Sequence, residues 1–300
     1  MKGDLMERLL DPKNDWMFKQ LFGTEKRKDL TIHLINSLLK GRQPRVVDVK
    51  FLKVELDKEI TALRQSIVDV LCQADDGREF IVEMQRASDT YFIKRLVEYT
   101  CQVYINQRPK ALKTDGDRGG YDKVHPVVCL AIMENPVFPD KKAYLSHHEL
   151  RDIETHTHDI KELSFTFLEL SKFNKPFEEL ETDTEKWAYF FRHAVATSQE
   201  QFDEILKEQT VFSRAYEALR EAAYTPEQLV AYLRIDQKQA EIKIQNAESR
   251  ELGRAEGRAE GEKEKAEEIA LKMLEEGLNI DIVSKLTGLP ATKIQELKHR

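Results

Sequence analysis

Two carboxylates interrupt a stretch of chain that is otherwise apolar enough to be buried. In SIVDVLC (66–72), Asp69 sits inside a run whose alternate faces carry Ile67 with Leu71 and Val68 with Val70. In FIVEMQ (80–85), Glu83 sits among Ile81, Val82 and Met84. Both runs have the β-branched and aromatic texture of strands, with a turn between them. Apolar residues on both faces imply burial on both sides. An unpaired carboxylate there is penalised unless it finds a cationic partner or takes up a proton.

The turn, Ala74-Asp75-Asp76-Gly77-Arg78, decides how the two acids relate. With a two-residue loop, Asp76-Gly77, Asp75 opposes Arg78 and the acids face opposite sides of the sheet. With a three-residue loop, Asp75-Asp76-Gly77, the glycine takes the left-handed position such loops favour; Asp69 then lies opposite Glu83, and Ile67 opposite Gln85. Opposed side chains on paired strands have Cβ atoms roughly 4.5–5.5 Å apart, where like charges repel. Two carboxylates so placed make chemical sense as ligands of a divalent cation. The plainer alternative is a hairpin with both acids on a solvated face. Hard oxygen donors without Cys or His favour Mg²⁺ or Mn²⁺ over zinc. Such an ion lowers the pKa of a bound water, which becomes the nucleophile, and offsets charge building on a phosphate.

Taken together, DPKNDWMFKQLFG (11–23), SIVDVLCQADDGREFIVEMQ (66–85) and IKRLVEYTCQVY (93–104) resemble the PD-(D/E)XK nuclease family transposases, also called Rpn or recombination-promoting nuclease proteins. The resemblance covers residues 9–170 best. It implies an α/β fold with a restriction-endonuclease-like mixed sheet flanked by helices. It also implies a magnesium-dependent DNA endonuclease linked to recombination or mobile elements. Asp69 and Glu83 match the metal-binding acids, and Gln85 stands where the usual motif has a lysine that orients the water or stabilises developing charge. A glutamine can hydrogen-bond there but brings no positive charge; Lys53, Arg64 and Arg86 are candidates to supply it. Asp15 matches the position of a third acid, or serves only as an acidic residue in the first turn of a helix. Lys19, one turn later, can reach a phosphate or pair with Asp15. Arg95, Tyr99 and Gln102 fall on one helical face, where Arg95 could hold Glu83 or a DNA phosphate and Gln102 could hydrogen-bond at the metal site.

These residues need elements to hold them. Asn14 reads as the cap of a short helix, DWMFKQLF, and Thr24 as the cap of a second helix that stops at Gly41. VVDVKFLKVEL (46–56) and KELSFTFLEL (161–170) read as strands, and Ser88 as the cap of a helix over 89–107. VHPVVCLAIME (124–134) is apolar enough for the centre of a sheet, with Pro126 excluding its first residues. Beyond Leu170 the pattern is helical throughout. The organisation expected is a nuclease-like core over 1–170, a helical region over 171–250, and a Gly-repeat helix with a small helical tail over 251–300. Gly253, Gly257 and Gly261 recur on one helical face. Each costs a helix about 1 kcal/mol relative to Ala, so either another helix approaches closely or the segment is a solvated charged linker. LEEGLNIDIVSKLTGLPATKIQEL (274–297) can be drawn as a helix-turn-helix. From Thr225 onward, however, Lys and Arg number 13 against 15 Asp and Glu, which favours self-association for this region.

Composition sets the remaining bounds. The 300 residues are 41% hydrophobic and 34% charged, with a net charge of −7. The charge is divided, +3 up to Lys110 and −10 beyond it, so a polyanion site belongs in the N-terminal third. No apolar run suits a membrane span, and the start lacks a secretory core, so a cytoplasmic protein is expected. Cys72, Cys101 and Cys129 are widely spaced and set among apolar residues, as buried free thiols are. His147, His148, His156 and His158 read as exposed loop residues. No G-x-S-x-G, phosphate-loop or H-E-x-x-H motif occurs, so no nucleotide cofactor or hydrolase triad is expected. The function expected is Mg²⁺- or Mn²⁺-dependent endonucleolytic hydrolysis of DNA, with DNA as partner and a homo-oligomer formed through the C-terminal helices. The alternative is a nuclease-like DNA- or protein-binding module with weak or no catalysis.

Overall fold

A computed structural model describes residues 8–52, 68–87, 89–112 and 121–298. The expected strand over 46–56 is present in part, as β1 (Val49–Phe51); its continuation, Lys53, Arg64 and the Ser88 cap lie outside the described residues. The hairpin follows as β2 (Val70–Ala74) and β3 (Glu79–Gln85), then β4 (Val127–Met133), β5 (Leu145–Leu150) and β6 (Ile160–Glu169). The described strands form one mixed sheet in the order β1-β2-β3-β4-β6-β5. β3, β4 and β6 run parallel, and the other pairings are antiparallel. Every residue of β4 is buried, as its unbroken apolar sequence requires of a central strand.

Period-two alternation divides the sheet between two cores. Phe80, Val82 and Met84 of β3, with Val128, Leu130 and Ile132 of β4, face one side. They meet α1 (Asp15–Phe22) and α2 (Lys28–Leu38) there. Ile81, Cys129 and Ala131 face the other side, against Phe92, Leu96, Tyr99 and Val103 of α3 (Phe92–Leu112). Each fully buried side chain of this kind contributes roughly 1.5–3 kcal/mol. Thr24 does not cap the second helix as expected. Its hydroxyl donates to Gln20 O at 3.2 Å, and a short 3₁₀ turn, Glu25–Arg27, precedes α2.

The chain forms two compact units, residues 1–237 and 238–300. In the first, α4 (Asp183–His193), α5 (Gln199–Lys207) and α6 (Val211–Glu217) join the same core as α1 and α2. Trp187 lies 5.5 Å, centroid to centroid, from Phe22 and 4.8 Å from Phe212. Thus α4, α5 and α6 share one hydrophobic core with a face of the sheet. α7 (Pro226–Glu275) begins in this unit, where Tyr232 is buried in the main core. In the second unit, α7 ends before Gly277, and α8 (Ile280–Thr287) ends at Gly288; both glycines have positive φ. Val283, Leu289, Ile294 and Leu297 bury with Ala270 of α7 in a small core of their own, the last two from α9 (Ala291–Lys298). No helix among the described residues is long and apolar enough to cross a membrane.

The hairpin turn carries a sharp test of this architecture. Gly77 has φ +90°, and a Cβ there would lie 2.5 Å from the His125 ring. Gly77→Ala combines left-handed strain with that clash and should destabilise the protein by about 2 kcal/mol, read as a lower urea midpoint. An unchanged midpoint would rule out this turn.

Candidate active site

Ala74 N donates to Arg78 O at 2.8 Å and Gly77 N to Ala74 O at 3.0 Å, so the loop is the three-residue Asp75-Asp76-Gly77. Val70 accordingly pairs with Val82. One step beyond the ladder, Asp69 and Glu83 face each other, and each carboxylate accepts a backbone N–H from the opposite side of the hairpin. Asp69 N donates to Glu83 Oε2 at 3.0 Å, and Met84 N donates to Asp69 Oδ2 at 2.9 Å.

Helix α1 brings two more charges to this pair. Asn14, fully buried, caps it by accepting from Trp16 N at 3.0 Å and Met17 N at 3.3 Å, and donates from Nδ2 to Tyr232 O. Met17, Phe18, Leu21 and Phe22 are the buried face that fixes the rotation of the helix. Asp15 and Lys19, one turn apart on the other face, are thereby aimed at the start of β2. Gly23 closes the helix, its N–H donating to Lys19 O at 2.9 Å, and sits beside Val70, whose Cγ2 would be in ordinary van der Waals contact, 3.5 Å, with a Cβ placed there. Lys19 Nζ is 2.9 Å from Asp15 Oδ1 and 3.3 Å from Asp69 Oδ1. Asp15 also shares a side-chain hydrogen bond with Asp69.

The electrostatics follow from crowding acids in a partly dry place. Burial, then the Glu83 charge and Asp15, raise the Asp69 carboxyl well above the usual range. Burial likewise pushes Glu83 up to about 7, against the opposing pull of the Asp69 N–H and Lys19. Burial also works to raise Asp15, but its hydrogen bond to Asp69 and the Lys19 ammonium together hold it below the ordinary value. Lys19 is raised: its burial is outweighed by the charges of Asp69 and Asp15.

Among the described residues, no group of three or more His, Cys, Asp or Glu side chains is arranged to hold a metal ion. The Asp69–Glu83 pair nevertheless has the donor chemistry for a hard divalent cation. Its oxygens are opposed and desolvated, and a bound cation would favour their ionised form against the burial that pushes both towards protonation.

The other sequence candidates are distributed around this pair. Gln85 lies on the same face of β3 as Glu83, and its Nε2 donates to Ala87 O at 2.8 Å. Arg95 ion-pairs with Asp89 and exerts a weaker pull on Glu83. Gln102 Oε1 is buried without a hydrogen-bond partner among the described residues, and Tyr99 belongs to the core beneath the sheet. Arg86, a candidate for the missing charge, is instead engaged by Asp11 at 3.5 Å, Glu134 at 3.7 Å and Asp236 at 3.4 Å. The histidine reading needs correction: His147 and His148 lie on β5, not in a loop. His147 Nδ1 is hydrogen-bonded to Thr166 Oγ1 at 3.0 Å, and His148 stacks on Phe138. The Lys19–Asp69 contact escaped the sequence, where only the one-turn spacing from Asp15 was visible.

A mixed sheet with helices on both faces and an acid pair at the end of its β2–β3 hairpin defines a nuclease-like α/β class. The chain belongs to the PD-(D/E)XK nuclease family transposases, whose family model matches residues 12–247. Residues 263–299 match the C-terminal helix-turn-helix domain of the Rpn/YhgA-like nuclease family. That second match supports the helix-turn-helix that charge counting had disfavoured. No curated protein and no solved structure gives a significant match.

Proposed function

We propose that the protein is a divalent-metal-dependent DNA endonuclease that hydrolyses phosphodiester bonds. The observation that carries this reading is the placement of Asp69 and Glu83 face to face, each holding the other's strand by a backbone N–H. Bound by these two carboxylates, with Asp15 as a third acid, Mg²⁺ or Mn²⁺ would supply positive charge against the phosphate and acidify a water. The backbone hydrogen bonds fix one oxygen of each carboxylate and so orient the other. Gln85 has a carbonyl oxygen with which to orient the nucleophile, and Arg95 and Gln102 stand on the helix that covers this face.

The second unit is suited to engage DNA through α9, whose exposed side includes Thr292, Gln295 and Lys298. Homo-oligomerisation through the C-terminal helices would use the Gly253, Gly257 and Gly261 face, which meets nothing within 4 Å among the described residues. Free cysteines agree with a reducing, cytoplasmic setting.

One observation favours a second reading, a nuclease-like binding module: the motif lysine is replaced by Gln85, whose amide is tied to Ala87. Plasmid cleavage in Mg²⁺ separates the two. The parent should nick supercoiled DNA, and Asp69→Ala should be slower by at least about 10³-fold. Equal rates would remove the endonuclease reading, and cation binding without any cleavage would favour the module.

A further inference from the structure

A phosphodiester brought to Asp69 and Glu83 adds negative charge to a site that already crowds three acids. Gln85 cannot offset it, being uncharged and held by Ala87 O at 2.8 Å. Among the described residues, the nearby arginines are engaged elsewhere: Arg78 by Asp76, Arg86 by Asp11, Glu134 and Asp236, and Arg95 by Asp89. Among the described residues, the cation that touches the pair arrives on α1, about 50 residues earlier in the chain: Lys19, with Nζ 3.3 Å from Asp69 Oδ1 and 2.9 Å from Asp15 Oδ1. Its side chain is 29% exposed, against 10% for Asp69, so Lys19 lies nearer the surface than the carboxylate it contacts. The elements that hold it are specific to that task. A buried Asn14 cap sets the start of α1, four apolar residues set its rotation, and its end at Gly23 lies beside Val70, the neighbour of Asp69.

We infer that Lys19 does the work of the absent strand lysine, contacting a phosphate oxygen or the attacking water beside Asp69. This rests on the endonuclease reading. Asp15 is then a positioning residue for Lys19 as well as a candidate metal acid, because its carboxylate anchors the ammonium from the solvent side. A lysine on a neighbouring helix can replace one on the strand, since electrostatic stabilisation depends on where the charge sits and not on which element carries it.

A charge swap between the two positions tests this. Plasmid cleavage, Mn²⁺ affinity by calorimetry and thermal midpoints would be measured for the parent, Asp69→Ala, Lys19→Gln, Gln85→Lys and the double variant Lys19→Gln/Gln85→Lys. Lys19→Gln should slow cleavage by about 10²-fold while binding Mn²⁺ at least as tightly as the parent, because an ammonium competing for Asp69 is gone. The double variant should recover at least about 10-fold over Lys19→Gln. Parent-like cleavage by Lys19→Gln, loss of its Mn²⁺ binding, or a double variant no faster than Lys19→Gln would each overturn the inference. If the parent itself cuts nothing in any cation, the endonuclease reading falls and takes this inference with it. If the parent cuts, Asp69→Ala does not, and Lys19→Gln cuts normally, only the inference falls.

Discussion

Glu83→Gln is expected to abolish cleavage and, in the absence of metal, to make the protein more stable. The substitution keeps an oxygen to accept the Asp69 N–H, the contact now made at 3.0 Å, so the hairpin register survives. What it removes is a charge that the fold tolerates poorly. Glu83 is pushed up to about 7 by burial, whereas an unfolded chain ionises it near 4.5. Above pH 7 the folded protein therefore carries the full cost of an ionised Glu83. Between pH 7 and 4.5 the cost fades as the folded state takes up its proton first, and below 4.5 it is gone. Neutralising the group also relieves Asp69, whose own carboxyl is raised by burial and then by Glu83. The gain should be on the order of 2 kcal/mol at pH 8.5, seen as a thermal midpoint higher by roughly 4–8 °C, and should vanish by pH 4.5. A variant that is less stable than the parent at pH 8.5 would mean that Glu83 is a structural acid and not one held in readiness for a cation.

The second large effect concerns where the nuclease unit ends. A chain stopped at Leu170 is expected not to fold, although it contains every described strand. It would lose Trp187, Phe190 and Phe191 of α4 and Phe212 and Tyr216 of α6, all buried in the core that α1 and α2 share. Removing a single such aromatic costs about 3–5 kcal/mol, and removing five exceeds the whole stability of an ordinary domain. A chain stopped at Gln237 keeps these residues, together with Tyr232, whose carbonyl accepts from Asn14 and whose hydroxyl accepts from Asp11 N. It should be soluble, melt cooperatively, and run as a monomer with weakened DNA affinity. Gel filtration and circular dichroism would check both chains; a cooperative melt for the Leu170 product would contradict the shared core.

The acid pair was legible because Asp69 and Glu83 break apolar runs, and an anomaly of that kind survives in a single sequence. Their register was legible because one glycine, Gly77, at φ +90°, fixes the length of the loop. The central strand β4 declared itself by being apolar at every position. Strand β5 did not, because LSHHEL is polar and half-exposed at the edge of the sheet, where a ladder of hydrogen bonds to β6 and not an apolar face holds it. The place of α4 to α6 was equally hidden: amphipathic spacing reports that a helix has a buried face, not which core receives it. Lys19 illustrates the same gap at the site. Its one-turn pairing with Asp15 can be read locally, but its reach to Asp69 depends on how α1 packs beside β2, which no local pattern reports.

The central claim is that Asp69 and Glu83 together hold a divalent cation, and Mn²⁺ in a crystal of the protein tests it directly through its anomalous scattering. The account predicts one strong peak shared by a carboxylate oxygen of Asp69 and one of Glu83. A map with no peak there at saturating Mn²⁺, or with the ion bound elsewhere while Lys19 still pairs with Asp69, would contradict it.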